Sequence, residues 1–145
     1  MINFFKDKQK NKVDENESYY KIASLLIHTA KIDENYTKKE EDIIKKTLID
    51  LGANSSVVDN IVSRATVIEE NSNQILDFTK EIKSLDYSDK IKIVESLWKI
   101  IYSNNDADMY ETNLMRRLSG LLYIDAKIMG ELKEKIKKSL SKWHI

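Results

Sequence analysis

Apolar residues return at helical spacing along most of this chain. From Tyr19 they run Ile22, Leu25, Leu26, Thr29 and Ala30, one stripe of an α-helix. From Ile91 they run Val94, Leu97, Trp98 and Ile101, the same stripe again. Further stretches with this period predict helices near 38–51, 56–70, 73–85, 109–122 and 126–142. Gly52, just past Leu51, predicts a C-terminal cap.

The two stripes belong to a longer correspondence. At an offset of 71, Ile22 meets Ile93, Leu26 meets Leu97, Ile27 meets Trp98 and Ala30 meets Ile101. The polar stretch that follows also matches: Asp33 meets Asn104, Asn35 meets Asp106, Thr37 meets Asp108 and Glu40 meets Glu111. Beyond it Ile43, Ile44 and Leu51 meet Leu114, Met115 and Leu122, and Val57, Val58 and Ile61 meet Ile128, Met129 and Leu132. Shared helical period would reproduce the stripes alone, but not the polar connector with them. The pattern therefore predicts an all-α fold: a single compact domain of six to seven helices, built from two related helix–connector–helix units. Residues 18–145 would form the domain, and the polar 1–17 a flexible segment.

Each connector ends in a helix-start signal. Thr37 precedes Glu40 by three residues, and Asp108 precedes Glu111 likewise. In a capping box the first side chain accepts from the backbone N–H of the third helical residue, and the glutamate reaches back to the capping N–H. Capping leaves Asp33, Glu34, Asn35, Asn104, Asn105 and Asp106 unexplained. With Asp108 they give each connector an oxygen-rich face, the chemistry of a hard cation such as Ca²⁺ or Mg²⁺. The candidate metal donors are thus Asp33, Glu34, Asn35, Asn104, Asp106 and Asp108. Neither connector is an EF-hand, because Lys38 and Met109 stand where its glycine belongs, and Ile44 and Met115 stand at its closing glutamate.

Composition narrows the classes. The 145 residues include no proline, no cysteine and only three glycines, which disfavours a β-rich fold and excludes disulfides and thiolate chemistry. The absence of cysteine fits a cytoplasmic setting. Formal net charge is zero, but residues 1–12 carry four lysines against Asp7, and 127–145 carry six lysines against Glu131 and Glu134. The ends are therefore +3 and +4, and the body between them −7. An acidic body argues against nucleic acid and suits a cation or a basic protein partner. The basic, amphipathic "KEKIKKSLSKWH" could touch a membrane surface, but lysines near a helix C-terminus are explained by the helix dipole.

Motifs for catalysis are missing. There is no Gly-rich phosphate loop and no His/Glu spacing for zinc or di-iron. His28, on a mostly apolar helix, reads as a part-buried, hydrogen-bonded residue, Trp98 as core, and Trp143 and His144 as surface or packing residues near the end.

At the connectors the sequence resembles the TerB family, the tellurite-resistance-associated domain also found at the start of DjlA-type co-chaperones. That family carries two segments of the form Ala-x-x-Asp-Gly-x-x-(Asp/Thr)-x-x-Glu. Here "AKIDENYTKKE" places Ala30, Asp33, Thr37 and Glu40 on the pattern, and "YSNNDADMYE" places Asp108 and Glu111 on it. "DLGANSSVVDNIV" and "SLWKIIYSN" resemble the family's turn and its Leu-Trp segment. The chain departs from the family at Glu34 and Asn105, which replace its glycine, and at Asn104, which replaces an aspartate. Asparagine suits a left-handed turn and glutamate does so poorly. The resemblance covers roughly 18–142 and implies a non-enzymatic, cytoplasmic stress-response domain that acts as an interaction scaffold with weak metal-ion sensing. The alternatives are a dedicated divalent-cation sensor built on the two connectors, or a co-chaperone-like protein-interaction module.

Overall fold

Two helices in this protein bury most of their length, and amphipathic helices pack against them. The computed structural model describes residues 17–32, 34, 36–72, 74–103 and 109–141, with the backbone alone for 109–111 and 141. Its helices are α1 (residues 17–30), α2 (Lys38–Asp50), α3 (Val58–Glu70), α4 (Leu76–Ile82), α5 (Tyr87–Tyr102), α6 (Met109–Leu121) and α7 (Ala126–Ser141). No strand occurs among the described residues.

The central pair is legible in burial. On α1, the run Ile22 to Ile27 is buried without a break, followed by Thr29 and Ala30. The sequence predicted a single stripe there; Ala23, Ser24 and Ile27 are covered as well, so the helix lies inside rather than on the core's rim. Its buried hydroxyls are satisfied by its own backbone, Ser24 Oγ donating to Tyr20 O at 2.7 Å and Thr29 Oγ1 to Leu25 O at 3.0 Å. On α5, Ile93, Val94, Ser96, Leu97, Trp98, Ile100 and Ile101 are buried. Trp98 is core, as its place in the stripe predicts, and stacks on Tyr102 with ring centroids 6.0 Å apart.

The outer helices bury one face each. On α3 this is Val58, Ile61, Val62 and Ala65, and on α7 Met129, Leu132 and Ile136. α5 packs against α2 and α7, α2 against α3, and α6 against α4 and α7. Between α2 and α5 the hydroxyls of Thr47 and Ser96 meet at 2.6 Å in the interior. Lys90, almost fully buried, donates to Lys83 O at 3.0 Å and Leu122 O at 3.1 Å, so one ammonium satisfies carbonyls that follow α4 and α6. α4 is shorter than the predicted 73–85. No side chain caps its start, and Leu85 N–H turns back to Ile82 O beyond its end.

The predicted stop at Gly52 is present, with φ at 115°. Ala53 N–H reaches Leu48 O at 2.9 Å and Gly52 N–H reaches Ile49 O at 3.0 Å, the Schellman pattern. At an offset of 71, Ile124 N–H reaches Ser119 O at 3.0 Å and Tyr123 N–H reaches Gly120 O at 3.4 Å. Tyr123, at the position of Gly52, also takes a left-handed backbone with φ at 57°. α2 and α6 therefore have the same length, the same offset and the same ending.

Candidate functional site

The first connector joins α1, which ends at residue 30, to α2, which begins at Lys38. Ile32 N–H bonds Thr29 O at 3.3 Å, tightening the last turn, and Glu34 N–H bonds Lys31 O at 2.9 Å. Glu34 sits at φ 62° with its side chain exposed. Glutamate suits this turn poorly, yet Glu34 takes the left-handed backbone, at an expected cost of about 1–2 kcal/mol.

Thr37 then caps α2. Its backbone is extended, at φ −96° and ψ 163°, and its hydroxyl accepts from Glu40 N–H at 3.2 Å. Glu40 Oε1 in turn accepts from Thr37 N–H at 2.8 Å and from the Thr37 hydroxyl at 3.0 Å. The predicted capping box is complete. Glu40 is only 1 % exposed, so this carboxylate is committed to the helix start and faces inward.

Of the six candidate metal donors, Glu34 alone lies among the described residues. Asp33, Asn35, Asn104, Asp106 and Asp108 lie outside them, as do Asn105 and the Glu111 side chain, so the second capping box and any convergence of the two connectors are not described. Trp143, His144 and residues 1–16 also lie outside. Among the described residues, no three His, Asp or Glu side chains gather closely enough to hold a metal.

Three features around the first connector were not read from the sequence. Tyr36 lies part-buried beside the box, and its hydroxyl has no hydrogen-bond partner among the described residues. Burial, helped by the Glu41 and Glu40 carboxylates, pushes its phenol up to about 12. Lys45 bridges α2 and α3, 2.9 Å from Glu41 and 3.0 Å from Asp59. Its hydrogen bonds to Glu41 and Asp59 hold the ammonium above the usual lysine range. The spacing of Glu41 to Lys45 was the available signal for half of this bridge. On the other side, Glu69 of α3 meets Lys31 at 2.7 Å and His28 Nδ1 at 3.3 Å. The hydrogen bond expected of His28 exists, to a carboxylate no local spacing announces.

The family model for tellurite resistance protein TerB matches residues 20–134. The chain belongs to the TerB family. The matched span holds both connectors, with the Thr37–Glu40 box and the turn at Glu34 inside it. No curated protein matches the chain. No solved structure matches it either. No helix of this TerB-family chain is long and apolar enough, among the described residues, to cross a membrane.

Proposed function

We propose that this TerB-family domain is a non-enzymatic, cytoplasmic interaction scaffold in the response to tellurite or similar toxic oxyanions, with weak divalent-cation binding at its connectors. Family membership supports the stress role. The observation that carries the rest is the capping box. It draws Thr37 and the buried Glu40 into holding α2 in place, leaving Asp33, Glu34 and Asn35 as the first connector's candidate donors. Asn104, Asp106 and Asp108 would be their counterparts in the second. Tight Ca²⁺ sites gather about six to eight oxygens, usually with a bidentate carboxylate, and Asn104 supplies a neutral oxygen where the family pattern has a charge. The acidic body between basic ends supports a protein partner with a basic face. The shared ending of α2 and α6 supports reading the two halves as related units, each presenting one connector.

The reading is tested in cells deleted for this chain and challenged with tellurite. Wild-type protein and a double variant Asp33→Asn/Asp106→Asn should restore growth equally. Failure of the wild type to protect would remove the stress role. Protection by the wild type alone would make ion binding, rather than scaffolding, the primary activity.

A further inference from the structure

A cleft of about 320 Å³ opens between α5, α6 and the start of α7, walled by Trp98, Thr112, Met115, Arg116, Ser119 and Met129. Trp98, Met115 and Met129 are buried, which makes its floor apolar, and the two thioethers make that floor adaptable. Arg116, exposed, is the one charged residue among the described lining.

The corresponding positions in the first half of the chain are filled and paired differently. Subtracting 71 puts Lys45 at Arg116, Leu48 at Ser119, Glu41 at Thr112 and Asp59 at Gly130. There Leu48 is fully buried, and Lys45 is clamped between the Glu41 and Asp59 carboxylates. In the second half the cation is kept, while both carboxylates and the filling leucine are gone. The smaller Ser119 turns its hydroxyl to Ile124 O at 2.6 Å instead of filling the space. No described carboxylate lies within ion-pair distance of Arg116.

An apolar hollow with a guanidinium at its wall, no described carboxylate paired with it, and the Lys133 ammonium 5.7 Å from the Trp98 ring is complementary to an apolar body ending in a carboxylate. Guanidinium pairs with carboxylate through two parallel hydrogen bonds. The volume is at the small end of ligand sites, which run roughly 300–1,000 Å³. We propose that this cleft binds a small free amphipathic carboxylate, its apolar body on Met115, Met129 and Trp98 and its acid group on Arg116.

Octanoate and the uncharged 1-octanol are the probes, titrated against the full chain and followed by the methyl resonances of Met115 and Met129. Octanoate should bind saturably, and octanol about tenfold more weakly, the scale of a charge-assisted hydrogen-bonded pair. Arg116→Gln should reduce the preference for the acid, leaving only what the Lys133 ammonium near Trp98 supplies. Gly130→Asp returns a carboxylate where Asp59 stands, at a position where an added Cβ meets nothing within 4 Å, and should weaken octanoate binding. Ser119→Leu should remove binding of both probes. The proposal is overturned by no saturable octanoate binding, by octanol binding as tightly as octanoate, or by unchanged affinity in folded Ser119→Leu. Should that variant not fold, unchanged octanoate affinity in both Arg116→Gln and Gly130→Asp overturns it equally.

Discussion

Replacing Glu34 by glycine should make this protein more stable, although the change deletes a charged side chain from a candidate ion site. Glu34 holds φ at 62°, where a Cβ is crowded by the neighbouring carbonyl, and the strain is about 1–2 kcal/mol. Glycine removes the crowding but adds freedom to the unfolded chain, which offsets about 0.4–1 kcal/mol. The net is a gain of about 0.5–1 kcal/mol. For 145 residues the unfolding entropy is about 0.3 kcal/mol/K, so the melting temperature should rise by about 2–3 °C. The side chain is exposed, and the bond from Glu34 N–H to Lys31 O uses only the backbone, so neither change should be masked by lost contacts. Glu34→Ala is the control: it removes the same charge but keeps the Cβ, and should stay within about 0.5 kcal/mol of wild type. Urea melts with an unchanged slope measure both. A glycine variant no more stable than wild type would refute the reasoning. So would an alanine variant stabilised as much as glycine, since charge rather than backbone would then be the cause.

Tyr123→Gly relieves the same kind of strain at φ 57° but loses the contact of Lys83 with its ring, 5.9 Å away, so thermal melts should show a smaller gain of about 0–1 kcal/mol. Thr37→Ala should cost about 0.5–2 kcal/mol in denaturant melts, because it removes the hydroxyl that accepts from Glu40 N–H and donates to the buried Glu40 carboxylate. Tyr36→Phe deletes a buried hydroxyl without a described partner and should be neutral or stabilising by up to about 1 kcal/mol. The same residue sets a pH dependence. Its phenol titrates near 12 when folded and near 10.0 when unfolded, so between those values the unfolded chain holds fewer protons. The Tyr36 contribution is complete below pH 10 and is lost as pH rises towards 12; melts across that range should fall less steeply in Tyr36→Phe than in wild type.

Helix order, the stripes of α3 and α7, the stop at Gly52 and the Thr37–Glu40 box were all legible, because each rests on spacing within a few residues. Long-range pairing was not. Glu69 is 41 residues from His28, and Asp59 reaches Lys45 only because α2 and α3 pack side by side. Nor could periodicity show that α1 is enclosed, since Ala23, Ser24 and Ile27 are compatible with either face until neighbouring helices cover them. Tyr123 misleads in another way: nothing about a tyrosine announces a left-handed turn, and only its correspondence with Gly52 gives it away. At the first connector the sequence identified the Thr37–Glu40 cap, but oxygen-bearing residues alone do not specify whether two connectors converge. That depends on the packing of whole helices.

The central claim is that the connectors cap and link helices, and bind cations weakly at most. Calorimetric titration of the full chain with Ca²⁺ and with Mg²⁺ tests it most directly. The account predicts no binding tighter than about 10⁻⁴ M for either ion. A micromolar isotherm that Asp106→Asn abolishes would contradict it, and would make the domain a dedicated cation sensor.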